Sequence, residues 1–209
     1  TDYLKTLIGD RRRHVVLGRF AAKDAVLKWI QNRHGGEMLH PAALVIANNK
    51  DGHPYVKSLV PVPELPQLSI AHSEDRGLAL AGEAAVGIDL EPHSRDVAAV
   101  LGEFAKGAEL ETIQTAARTE PDEAWPTRLW CAKEAAAKLL GTGLGGKLFD
   151  LALQQIGDAG QLQLRHQPSS REISVRTLRD DFGVIAYTVA TGPAGSGPAA
   201  SPRPAARAT

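Results

Sequence analysis

The stretch Arg128–Gly143 reads RLWCAKEAAAKLLGTG, and how it is read decides the fold. Leucine, alanine, lysine and glutamate dominate it, all good helix formers, with no β-branched run to interrupt them. Gly141 and Gly143 follow as stop signals. Leu129, Trp130, Leu139 and Leu140 carry apolar weight, and the alanines permit close packing. Glu134 and Lys138 stand four apart, so they project from one helix face a turn from each other. Taken alone, such a pair is an exposed ion pair contributing ~0.3–0.5 kcal/mol. Cys131 is the only cysteine. It has no evident base partner and reads as a small core residue; a single cysteine excludes an internal disulfide framework and fits a reducing, cytoplasmic setting.

Upstream, Val86-Gly87-Ile88-Asp89-Leu90-Glu91-Pro92 alternates as a strand. Asp89 and Glu91 then share one face, while Ile88 and Leu90 share the other and point toward a core. Two neighbouring carboxylates repel each other unless a cation lies between them. They read either as charges guarding an edge strand or as oxygen ligands for a hard cation such as Mg²⁺.

The remaining chain supplies the scaffold. Residues 3–32 have a helical pattern with Arg11, Arg12, Arg13 and Arg19 in the first half, and Gly35-Gly36 end it. The arginine run is a solvated helix face or an anion site, since clustered guanidiniums suit phosphate. Ala43–Ala47 and Pro54–Val56 form a hairpin around the turn Asn48–Gly52. VPVPELP at 60–66 is an extended connector. Leu68–Ser73 is a strand with His72 at its end, and Leu78–Ala81 and Ala85–Leu90 are strands joined by a tight Gly82-Glu83 turn. Val97–Ala105 and Ala108–Ala117 read as short helices and Pro121–Pro126 as a loop. Leu148–Ile156, Gln161–His166, Glu172–Leu178 and Phe182–Ala190 read as strands. From Thr191 the composition changes to Gly, Pro, Ala, Ser and Arg, a tail expected to be disordered.

The 209 residues carry 24 basic and 24 acidic side chains, for a net charge of +0. No bulk attraction to nucleic acid or to a membrane is implied, and no apolar run approaches the ~20 residues of a spanning helix. The first residue is Thr1 rather than Met, which suits a trimmed chain or one cut from a longer polypeptide.

An internal match links the two ends of the chain. Arg19-Phe20-Ala21-Ala22-Lys23-Asp24-Ala25-Val26-Leu27-Lys28 aligns without gaps on Leu129-Trp130-Cys131-Ala132-Lys133-Glu134-Ala135-Ala136-Ala137-Lys138. Each copy precedes a set of strands. The expected architecture is therefore α+β, with two similar halves related by a pseudo-two-fold axis and the active site in the cleft between them. The halves are residues 1–92 and 93–191, with 192–209 as the tail.

These residues resemble the 4′-phosphopantetheinyl transferase superfamily, whose signatures are a G-[IV]-D-x-E-like strand followed by a W-x-x-K-E-x-x-x-K helix. Here they read Gly87-Ile88-Asp89-Leu90-Glu91 and Trp130–Lys138. Asp51-Gly52-His53-Pro54 resembles the family's G-K-P element, with His53 in place of lysine. Leu68–Ser73 resembles its F-[NS]-x-S-H-S strand, with Ala71 in place of serine. Length and the repeated helix look like the surfactin-synthetase-type branch.

The resemblance implies coenzyme A as donor and an acyl, polyketide or peptidyl carrier protein as acceptor, with 3′,5′-ADP released. It implies that Asp89, Glu91 and Glu134 hold Mg²⁺, or Mn²⁺ in its place. Glu134 would take the serine proton, and Lys138 and Asp89 would complete the catalytic set. Arg13, Arg19, His53, His72, Lys133 and Lys138 would contact coenzyme A. The expected protein is a monomer or a domain of a larger synthase. Two other readings stand beside it. One is a Mg²⁺-dependent nucleotide phosphohydrolase, which no P-loop supports. The other is an inactive module that binds coenzyme A or a carrier.

Overall fold

The structure, a computed structural model, describes residues 9–35, 39–143 and 147–190. The expected tail at 192–209 and the start of the chain lie outside the described residues, as does Gly36.

The first helix, α1 (Asp10–His34), buries Gly18, Ala22, Val26, Leu27 and Ile30. Their spacing of three to four residues makes one apolar stripe. It packs on two antiparallel hairpins, β1–β2 (Leu44–Asn48, Pro54–Ser58) and β3–β4 (Gln67–Ser73, Arg76–Gly82). A Cβ on Gly77 would lie 2.7 Å from the backbone of Leu17, so helix and hairpin touch main chain to main chain.

The Gly82-Glu83 turn does not join a hairpin. β4 pairs with β3, while β5 (Val86–Pro92) pairs with β9 (Gly183–Val189), at the far end of the chain. The strand that closes the sequence's first half is thus hydrogen-bonded to the last strand of its second. β5 is the edge strand of a five-stranded antiparallel sheet ordered β5-β9-β8-β7-β6, with β6 at Leu151–Ile156, β7 at Gln161–His166 and β8 at Arg171–Arg179. The edge is covered by β3, whose Ser69 hydroxyl accepts from the Ile88 N–H at 3.1 Å. Covering the edge in this way removes an open ladder of donors and acceptors.

Residues 98–103, expected as α-helix, form a 3₁₀ turn instead. α2 spans Ala108–Thr119 and α3 spans Trp125–Leu140. The α3 helix starts before Arg128, inside the expected loop. Pro126 fits its first turn because the missing N–H would have no partner there. Gly141 ends it with φ 70, the left-handed conformation glycine adopts without a Cβ clash.

α3 lies across β5 and β9. Cys131, Ala132, Ala135 and Ala136 are fully buried beneath it, and Leu162, Leu164, Val175 and Val184 of the sheet complete the main core. On the other face of β5, Ile88 and Leu90 pack with Ala71 of β3. All seven residues of β5 are buried as a result. The expected alternation holds: Ile88 and Leu90 meet one core, Asp89 and Glu91 the other side.

Candidate active site

The site begins at Gly87. A Cβ there would fall 1.9 Å from the Ala135 carbonyl oxygen, so α3 rests directly on the backbone of β5. No other residue permits that approach. With the alanine stripe beneath it, the helix sits low enough for Glu134 and Lys138 to reach the acids of the strand.

Asp89 is 7% exposed. Its Oδ1 accepts from Lys138 Nζ at 2.8 Å, and the same ammonium donates to the Ile88 carbonyl at 2.9 Å. Asp89 Oδ2 is buried and, among the described residues, accepts no hydrogen bond of ordinary geometry, although the Cys131 thiol lies close enough to this carboxylate to be raised by it. A buried carboxylate oxygen without a partner is costly, and a cation or a water that donates to it would offset that cost.

Glu91, 9% exposed, accepts from Trp130 Nε1 at 2.9 Å and pairs with Arg95. Burial raises its carboxyl above the ordinary range and Asp89 adds to that, while Arg95 and the Trp130 N–H pull the other way. Glu134 is pushed up to about 7, first by burial and then by the charge of Asp89, with Lys138 opposing. Its environment therefore senses Asp89, Glu91 and Lys138 together. Cys131 is buried, donates to the Val184 carbonyl at 3.6 Å, and its thiol is raised well above the usual value, chiefly by burial. It is a core residue, as its sequence context indicates.

The carboxylates fit a hard divalent cation in their donor chemistry: an Asp89 oxygen that accepts no hydrogen bond among the described residues and a Glu134 whose proton is held only to about neutral pH. Among the described residues, no three His, Cys, Asp or Glu side chains form a ready-made metal cluster.

His72 joins the same neighbourhood. Its imidazole is lowered, mainly by burial, then by His14 and Lys138, with Asp89 acting to raise it. His14 of α1 stacks on it, ring centroids 5.0 Å apart and planes 19° apart. His53 lies at the C-terminal end of α3: its Cε1 would be 3.5 Å from a Cβ on Gly141. Arg13 and Arg19 flank His14 and Gly18 along α1, Arg13 exposed and Arg19 half-buried.

Lys133 does not join them. It is 0% exposed and its Nζ donates to the Phe104 carbonyl at 2.6 Å, to Glu109 at 2.8 Å and to the Leu148 carbonyl at 3.3 Å. Glu109 in turn accepts from the Leu153 N–H at 2.8 Å. Lys133 is a buried tie between α2, α3 and the segment that leads into β6, and the phosphate contact expected of it is corrected on that ground. Burial lowers its ammonium and Glu109 compensates.

His14, Arg95 and the indole N–H of Trp130 are site features the sequence reading missed. Trp130 stands at the head of the W-x-x-K-E-x-x-x-K signature, and Arg95 stands four residues beyond Glu91 with a proline between them. A cavity of about 1360 Å³ opens elsewhere, between Glu120, Trp125, Arg128, Asp158 and Asp180 at the other end of α3. It contains none of these groups.

A family model described as the 4′-phosphopantetheinyl transferase superfamily matches residues 85–190. The matched stretch runs from β5 to β9 and contains Asp89, Glu91, Glu134 and Lys138. No curated protein matches the chain.

Proposed function

The chain belongs to the 4′-phosphopantetheinyl transferase superfamily, and from that premise we propose that it moves the phosphopantetheine arm of coenzyme A onto a serine of an apo carrier protein. The superfamily consists of transferases acting on carrier proteins, and the chain is an enzyme of that type. The observation that carries the finer reading is the convergence of Asp89, Glu91, Glu134 and Lys138 at the contact of α3 with β5, with one Asp89 oxygen buried and accepting no hydrogen bond among the described residues.

The serine hydroxyl attacks the β-phosphorus of coenzyme A, and 3′,5′-ADP is the leaving group. Glu134, placed on α3 beside Asp89 and Lys138, would take the serine proton, directly or through water. Lys138 pairs with Asp89 and places a positive charge where charge develops on the pyrophosphate. His72 and His14 offer ring nitrogens to coenzyme A phosphates, and His53, Arg13 and Arg19 its outer end. Asp89, Glu91 and Glu134 would hold Mg²⁺, which when bound offsets the charge of the pyrophosphate oxygens.

The match between residues 19–28 and 129–138 supports two duplicated halves, since the copies fall on α1 and α3 and each helix packs on strands. A cytoplasmic setting rests on the single, buried cysteine. The reading is tested with coenzyme A carrying a fluorophore on its thiol, incubated with Mg²⁺ and an apo carrier and resolved on a denaturing gel. Label should pass to the carrier with the wild-type chain and fail with Asp89→Ala. Equal labelling by both would refute the assigned site.

A further inference from the structure

Glu91 is held by one end only. Trp130 Nε1 donates to Oε1 at 2.9 Å, and Arg95 Nη1 donates to that same oxygen. Among the described residues, no hydrogen bond ends on Oε2. The two donors are themselves locked together: the Arg95 guanidinium lies over the Trp130 ring, 4.7 Å from its centroid, and Trp130 meets Phe104 edge-on at 5.2 Å.

The turn that carries Arg95 is tied down as well. The His93 N–H donates to the Phe182 carbonyl at 2.9 Å, Ser94 Oγ to Glu74 at 2.6 Å, and the Arg95 N–H to the Pro92 carbonyl at 3.2 Å. These bonds bring the chain back over the end of β5, so that Arg95 meets the residue four positions before it.

We propose that Arg95 and Trp130 are positioning residues that fix Glu91 by Oε1, so that this carboxylate offers a divalent cation a single oxygen, Oε2. The proposal rests on the reading of Asp89, Glu91 and Glu134 as a Mg²⁺ site. Groups hydrogen-bonded to a ligating carboxylate set its orientation and its affinity for metal. Arg95 also carries a charge that opposes a cation. Its side chain is 44% exposed, however, so that repulsion is screened, and orientation is the larger effect.

The test is a Mn²⁺ titration of the whole chain in the presence of coenzyme A, with free Mn²⁺ read by electron paramagnetic resonance. Arg95→Ala and Trp130→Phe should each weaken binding, by roughly tenfold, and Arg95→Lys should recover part of the loss. In a Glu91→Ala background neither change should matter further, because both act through that carboxylate. Unchanged or tighter binding in Arg95→Ala and Trp130→Phe would overturn the proposal, as would equal losses with Glu91 already removed. Asp89→Ala binding Mn²⁺ like the wild type would instead remove the metal reading beneath it. Arg95→Ala changes a surface side chain and keeps the test available if Trp130→Phe does not fold.

Discussion

Lys138 Nζ lies 2.8 Å from Asp89 Oδ1, and the other oxygen of that carboxylate is buried and accepts no hydrogen bond among the described residues. One ammonium thus satisfies half of an acid that two elements, β5 and α3, have enclosed.

Glu134→Gln should lower transfer by about 100-fold or more, the scale of losing a general base. The same change should stabilise the metal-free protein at alkaline pH. Glu134 holds its proton to about 7 when folded, against 4.5 as the ordinary value. Folding takes up a proton between those values, so stability falls as pH rises from about 4.5 through about 7. Glu91 is shifted in the same direction. In EDTA, melting of the wild type should drop by a few degrees between pH 5 and pH 8. The variant should show a smaller drop and melt higher at pH 8. A wild type more stable at pH 8 than at pH 5, with the variant unchanged, would contradict the burial of Glu134.

Lys133→Met and Lys138→Met should separate two lysines that the motif presents side by side. Removing Lys133 leaves Glu109 buried and unpaired, at a cost of about 3–5 kcal/mol. Its folded fraction should keep the wild-type KM for coenzyme A. Lys138→Met should instead impair turnover in protein that remains folded. Urea midpoints and steady-state kinetics decide it; a raised KM with unchanged stability in Lys133→Met would return that residue to the coenzyme A site.

Gly87→Ala should be among the most damaging small substitutions. Its Cβ would meet the Ala135 carbonyl oxygen at 1.9 Å, and backbone cannot swing aside as a side chain can. A loss of about 3 kcal/mol or more is expected from such overpacking. Wild-type urea midpoint and wild-type activity in Gly87→Ala would show that α3 does not rest on β5 as described.

His14→Ala should raise the His72 imidazole toward its ordinary value, because His14 is the second cause of its lowering after burial. Titration of the His72 ring proton resonances by NMR reads this directly. No movement would mean that the stacked rings do not share their charge.

Much of this site is visible along the chain because its spacing is local. Asp89 and Glu91 share a strand face at i, i+2, and Glu134 and Lys138 share a helix face at i, i+4. Lys133 misleads for the same reason: five residues separate it from Lys138, so the two diverge by about 140° around the helix. The motif counts both lysines, but only the packing of α3 shows which faces the acids and which the core. The pairing of β5 with β9 and the stacking of His14 on His72 join residues far apart in sequence. Alternation within a strand specifies which face is buried and carries no information on which distant partner completes it. The Gly82-Glu83 turn shows the same gap, as a turn signal between two strands that do not pair with each other.

The most direct test of the central claim is the intact mass of a carrier protein. Purified apo carriers of the acyl, polyketide and peptidyl types are incubated with the chain, coenzyme A and Mg²⁺, each beside a version whose modified serine is alanine. The account predicts that at least one carrier gains the mass of a single phosphopantetheine arm and that its alanine version gains none. No gain in any carrier, or an equal gain in the alanine version, would contradict it.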